Sequence, residues 1–152
     1  MMIDRLVASN KRARHDYEIL ETLEAGLVLT GTEVKSLREG RADLTGGYAI
    51  LVREEVWLHD VHIPPYPQGG YANHMPKRPR KLLLSRRQIR RLIGKVAQKG
   101  ITLVPLRLYF RDGWAKVEIA LARGRVKGDK RQRLVEETAR REMQQAMRRY
   151  RG

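Results

Sequence analysis

The side chains able to hold a metal, move a proton or grip a phosphate set the possible chemistry. Four histidines are present, His15, His59, His62 and His74. His59 and His62 stand three apart, so in a strand they point to opposite faces, and no third ligand follows at a suitable spacing. No metal site is expected. The carboxylates Asp16, Glu24, Glu33 and Asp60 would have to converge in space to make a nuclease centre, and their spacing gives that idea no support. No Walker loop, dinucleotide fingerprint or nucleophile elbow occurs, so no cofactor is expected. Cysteine is absent, which excludes disulfides and thiolate sites.

What remains is cationic. In 152 residues, 32 Lys and Arg face 17 Asp and Glu, a net charge of +15 with a pI near 10.8. Such an excess repels itself in a compact chain unless a polyanion is the working partner. The charge is clustered at Lys11, Arg12 and Arg14, at Lys77, Arg78, Arg80 and Lys81, and at Arg86, Arg87, Arg90 and Arg91. Residues 123–152 add eleven cations against four acids, net +7. Aromatic residues are 6%, and the RNP1 pattern of an RRM is missing. The charges therefore suit the backbone geometry of a folded RNA better than base stacking along a single strand. No apolar run approaches the ~20 residues that span a bilayer, and no signal or lipidation motif is visible. A soluble, cytoplasmic chain without membrane contacts is expected.

The elements that must position these charges follow from periodicity. Residues 1–9 read as a short leader with at most one helical turn from Ile3, Leu6 and Val7. Tyr17 to Leu23 alternates, breaks at Glu24-Ala25-Gly26 and resumes at Leu27 to Leu29, which predicts a strand bulged at the glycine. Thr30 with Glu33 fits a capping box, so residues 32–39 should be a helix ended by Gly40. Strands are expected at Tyr48 to Val52 and Val56 to Ile63, with a turn at Glu54-Glu55. Residues 64–80 hold five of the six prolines and no period, a loop long enough to be functional or disordered.

Ser85 and Gln88 offer a second capping box before Ile89, Leu92, Ile93 and Val96, a helix whose outer face is nearly all arginine. Alternation over 104–110 and 115–121 around Asp112-Gly113 predicts a hairpin. These elements add up to a mainly β protein with two or three short helices. The expected architecture is a small antiparallel barrel of the oligonucleotide-binding (OB) type spanning residues 10–123. A basic tail, 124–152, follows. Its residues Val135, Ala139, Met143, Ala146, Met147 and Tyr150 share one helical stripe, with Arg140, Arg141, Arg148 and Arg149 off it. Like-charge repulsion makes that helix marginal in isolation, so it is expected to be flexible when free and helical when bound.

Several blocks carry a resemblance to a known family. NKRARHDYEI at 10–19, EAGLVLTGTEVKSLREGRA at 24–42, RKLLL at 80–84, and the last strand followed by a glycine-basic element ending in Asp-Lys-Arg together resemble small protein B (SmpB), the bacterial tmRNA-binding family. The likeness runs in order from Asn10 to about Arg131. It implies a non-catalytic adaptor that holds the tRNA-like domain of tmRNA. With elongation factor Tu, such an adaptor delivers alanylated tmRNA to the A site of a stalled ribosome. The tail enters the empty mRNA channel near the 16S rRNA decoding centre.

Carried over residue by residue, the resemblance places Asn10, Lys11, Arg12, Arg14, His15, Glu24, Leu83 and Lys116 at tmRNA. It places Gly124, Arg125, Lys127, Asp129, Lys130 and Arg131 at the hinge of the tail and the ribosome. Glu24 would accept from base or 2′-hydroxyl donors, or is simply a surface glutamate; Leu83 packs on an exposed base, or in the core. Val126 and Gly128 depart from the lysine and the ring usual in the family. If that ring stacks on a base, its loss weakens the contact by ~1–3 kcal/mol. A monomer is expected. Two other classes fit the charge: a carboxylate-dependent RNA nuclease, which would cleave RNA with added Mg²⁺, and a basic ribosome-assembly protein, which would copurify with one subunit regardless of tmRNA.

Overall fold

The computed structural model describes residues 3–124 and 138–146. Its backbone is organised by the hairpin that Asp112-Gly113 announces. Both turn residues adopt left-handed φ, 53° and 81°. They join strands Ile101–Arg111 and Trp114–Gly124, which pair antiparallel along their whole length. In chain order the elements are β1 (Arg5–Ser9), α1 (Ala13–Asp16), β2 (Tyr17–Leu27), α2 (Gly31–Arg38), β3 (Tyr48–Val52), β4 (Glu55–His59), β5 (Arg80–Leu83), α3 (Arg86–Val96), β6 (Ile101–Arg111) and β7 (Trp114–Gly124). Residues 138–146 form a further helix, α4.

The strands lie in the order β1-β6-β3-β4-β5-β2-β7, and the pairing of β6 with β7 closes β6-β3-β4-β5-β2-β7 into a ring. Every pairing is antiparallel. Alternation along each strand sends Leu58, Leu82, Leu103, Leu108, Ile119 and Leu121 inward, where α2 adds Leu37 and α3 adds Ile89 and Leu92. Both capping boxes form: Thr30 with Glu33 opens α2, and Ser85 with Gln88 opens α3. The mainly β, barrel-like class expected from the alternation is the observed one.

Four local expectations are corrected. Arg5–Ser9 is no leader or helical turn but a strand, paired with β6 through Leu6–Tyr109 and Ser9–Arg107; a five-residue strand with one weak alternation is held by its partner's register. β2 runs unbroken through Gly26, and its bulge falls between Ile19 and Glu21, because continuous pairing with β7 overrides the local break. The β3–β4 turn is Arg53-Glu54, both at positive φ (46° and 61°), and β4 stops at His59 before Asp60 turns left-handed at φ 57°. The proline-rich 64–80 segment is largely exposed but anchored at defined points rather than a featureless loop: Pro67–Ala72 forms a kinked 3-10 segment, His74 bonds Thr32 Oγ1 (2.9 Å) and the Ile63 carbonyl (2.8 Å), and Ile63 N–H donates to Pro76 O.

A buried ion pair ties that segment to the ring. Arg80 Nε donates to Glu33 Oε2 at 2.5 Å, while its two remaining nitrogens reach Val61 O (2.5 Å) and Pro76 O (3.0 Å). Both residues are fully buried. Arg78 and the Thr30 amide donate to the other Glu33 oxygen at 2.5 and 2.9 Å, so one carboxylate caps α2 and anchors β5. Packing is equally tight at Gly47. A Cβ there would lie 2.8 Å from Val61 Cγ2 and 3.0 Å from Leu44 O. Gly47→Ala is therefore expected to destabilise by about 1–3 kcal/mol through overpacking, seen as a lower urea midpoint.

Candidate nucleic-acid interface

The outer face of β2, β7 and β6 is where the charged residues meet. Since successive side chains alternate, the residues facing away from the core are Thr22, Glu24 and Gly26 on β2, Lys116 and Glu118 on β7, and Arg107, Tyr109 and Arg111 on β6. At one end α1 covers the sheet. Its Ala13, 2% exposed, packs on Ala120, Ala122, Val104 and Leu106, a small cluster outside the ring. That anchor leaves Lys11, Arg12, Arg14 and His15 exposed around it. Asn10 holds the turn in place: its amide N–H donates to Leu106 O (2.7 Å) and its Nδ2 to Pro105 O (3.0 Å), at the irregularity where β6 shifts register.

In the middle of the face Glu24 lies opposite Glu118. Two adjacent carboxylates would repel, but three cations offset them. Arg107 grips Glu118 with two bonds, 3.1 and 3.0 Å. Arg111 Nε and Tyr109 OH donate to Glu24 Oε2 at 2.9 and 2.6 Å. Lys116 stands beside them, opposite Tyr109 and Gly26. The guanidinium groups of Arg107 and Arg111 also lie over the Tyr109 ring, 5.5 and 5.6 Å from its centroid. Burial alone would raise the Glu24 pKa, but bonds from Tyr109 and Arg111 outweigh it and hold the carboxyl below its usual range. Burial, and then the bond to Glu24, push the Tyr109 hydroxyl up to about 12. Glu24 therefore stays ionised across neutral pH.

At the other end Gly26 pairs with both Lys116 and Leu83. A Cβ on Gly26 would come within 3.3 Å of the Leu83 Cβ, so the glycine leaves a bare notch beneath the leucine. Leu83 is 54% exposed, while its neighbour Leu82 is buried. The core reading of Leu83 is thus excluded. Just beyond, α3, capped by Ser85, presents Arg86, Arg87 and Arg90 to solvent, whereas Arg91 and Lys95 are both engaged by Glu21 at 2.5 Å.

One continuous face thus collects Asn10, Lys11, Arg12, Arg14, His15, Glu24, Lys116 and Leu83 along the outer side of the ring. The carboxylates weighed for a nuclease do not converge on it: Glu33 is buried with Arg78 and Arg80, while Glu24 is held by Tyr109 and Arg111. Among the described residues no group of three His, Cys, Asp or Glu could hold a metal. The sequence reading missed Arg107, Tyr109, Arg111 and Glu118. Their period-two placement opposite Leu108 and Phe110 was a usable signal. Of the tail set, Gly124 is the last residue of β7, and Arg125, Lys127, Asp129, Lys130 and Arg131 lie outside the described residues. In α4, Ala139 and Ala146 pack near Tyr48, Ile50 and Val52, and Arg140 and Arg141 are exposed. No helix among the described residues is long and apolar enough to cross a membrane.

Comparison with known proteins places this face in context. A family model described as "SmpB protein" matches residues 7–149. A protein of Acidothermus cellulolyticus named SsrA-binding protein is 62% identical over 149 residues, covering 97% of this chain and 94% of its own. One of the same name from Thermobifida fusca is 60% identical over 147 residues, covering 97% and 92%. A solved structure described as "tmRNA-SmpB: a journey to the center of the bacterial ribosome" is similar with a TM-score of 0.68 and 53% identity, covering 92% of this chain and 96% of that one.

Proposed function

The chain belongs to the SmpB protein family, and on that premise we propose that it is an RNA-binding adaptor that holds the tRNA-like domain of tmRNA and brings it to stalled ribosomes. Near full-length identity to SsrA-binding proteins carries this reading. The physical support is a rigid barrel with one cationic outer face, its charged residues fixed by strand register and by the Ala13 anchor. Lys11, Arg12, Arg14 and Lys116 meet phosphates. Leu83, above the Gly26 notch, offers an apolar surface to an unpaired base. Glu24 acts through its hold on Arg111 and Tyr109, rather than as a bare acceptor. Proteins that bind by such contacts need no reacting group, and this chain is read as a non-catalytic, cytoplasmic monomer that travels with elongation factor Tu through alanylated tmRNA.

The tail, with Gly124, Arg125, Lys127, Asp129, Lys130 and Arg131 at its base, is assigned to the ribosome: the decoding centre and the vacant mRNA channel. A chain ending at Gly124 is expected to keep its tmRNA affinity in filter binding and to lose tagging of stalled polypeptides. Normal tagging by that shortened chain would remove the tail's role. Equal affinity for tmRNA, ordinary tRNA and duplex RNA at several salt concentrations would remove the adaptor reading itself.

A further inference from the structure

β3 reads Tyr-Ala-Ile-Leu-Val, and all five residues are buried. Only one of its faces belongs to the ring core, through Ala49 and Leu51. The other turns outward with Tyr48, Ile50 and Val52, flanked by Trp57 and His59 across the β4 pairing. An antiparallel strand with solvent on one side should alternate; a continuous apolar run belongs to a strand covered on both. Something must therefore sit on this outer face.

In the structure the occupant is the chain's own α4. Ala139 and Ala146 pack on Tyr48, Ile50 and Val52, and the Tyr48 hydroxyl donates to the Glu142 carboxylate between them. Met143 and Ala139 border a smaller groove with Ile50, Ile101 and Leu103. Arg140 and Arg141 are exposed, Arg140 at the edge of that groove. The fit is loose. Beneath α4 a cleft of about 690 Å³ remains, walled by Trp57, His59, Asp60, Pro79 and Gln145. That cleft opens to solvent, and Ala139, Glu142, Met143 and Ala146 are themselves only partly buried, so the helix is held by a narrow contact, a seat that can be left.

We propose that the outer face of β3 and β4 is a reversible docking surface for the C-terminal helix of the same chain, latched by Tyr48 and Glu142, and that the tail alternates between this seat and an extended position reaching RNA. The RNA end of that alternation rests on the function proposed above; the seat does not. A helix lying across β3 cannot also lie in a distant RNA groove, so whatever stabilises the seat lowers the fraction of chains ready to bind there.

The test uses the full-length chain with Trp114→Phe, which leaves Trp57 as the sole tryptophan. Ala139→Glu with Met143→Glu should shift Trp57 emission to the red and raise its acrylamide quenching several-fold, with the sheet signal in far-UV circular dichroism unchanged. Tyr48→Phe, which keeps the tail sequence intact, should give a partial shift in the same direction. Unchanged emission in both would overturn the seat, and protection of Trp57 that vanishes on dilution would assign it to the tail of a second copy and overturn docking within one chain. In a second arm Tyr48→Phe should associate with codon-less stalled ribosomes several-fold faster than its parent. Released Trp57 without faster association would end the alternation. Failure of the parent itself to bind those ribosomes would sink the adaptor function, while the fluorescence arm still decides the seat.

Discussion

Replacing Arg80 by alanine is expected to cost about 3–5 kcal/mol of stability, because breaking a buried pair strands the surviving charge. Arg80 is fully buried and so is its partner Glu33. Without the guanidinium, Glu33 keeps Arg78 and the Thr30 amide, but the Val61 and Pro76 carbonyls lose their donor as well. Replacing both residues by methionine should cost clearly less than the sum of the single changes, since the two fully buried charges leave together and only Arg78, 32% exposed, loses its carboxylate. Urea unfolding of the two singles and the double measures that difference. Additive losses would show that the pair is not energetically coupled.

The same carboxylate predicts a pH dependence. Burial on its own would raise the Glu33 pKa; bonds from Arg78 and the Thr30 amide and the charge of Arg80 outweigh it, and the folded pKa lies below the ordinary 4.5. A group depressed in the folded state binds more protons unfolded. Its contribution is therefore complete above pH 4.5 and is lost as pH falls through the folded value. Glu33→Gln should flatten the acid limb of the stability profile and leave the neutral-to-alkaline limb parallel to the parent's. An unchanged acid limb would assign acid sensitivity to other carboxylates.

The second large effect concerns the RNA face. Changing Lys11, Arg12 and Lys116 together to alanine should lower tmRNA affinity about a hundredfold near physiological salt, and should reduce the slope of log K against log salt by about two to three. The three side chains carry no core packing: Lys11 and Arg12 are exposed and Lys116 is half-buried on the outer face. Stability should be nearly unaltered. Leu83→Ala provides the contrast. A side chain stacked on a base should lose ~1–3 kcal/mol of binding with no change in salt slope, because no phosphate contact is removed. A slope unchanged in the triple variant would mean that tmRNA is gripped elsewhere, with the α3 arginines Arg86, Arg87 and Arg90 the next surface to test.

Much of this molecule could be read along the chain because its signals are local. The Asp112-Gly113 turn, the Thr30 and Ser85 capping boxes and the apolar stripe of α3 each involve residues within a few positions of one another, and each formed where expected. The excess of cations, and with it the class of partner, needs no structure at all, since net charge is a property of composition. The remainder depended on contacts made across the ring. Arg5–Ser9 became a strand only by lying against β6, and Gly26 stayed within β2 because β7 and β5 flank it on both sides. Glu33 and Arg80 are 47 positions apart, Glu24 and Arg111 are 87 apart, and Tyr48 and Glu142 are 94 apart. Partners so distant are chosen by register and by how the barrel closes, and a shift of one residue would have turned each of those side chains to the opposite face. Chain-local chemistry thus sufficed for the elements and the polyanion, whereas the carboxylates' partners, the exposed Leu83 and the seat beneath the last helix became readable only when the strands were set side by side.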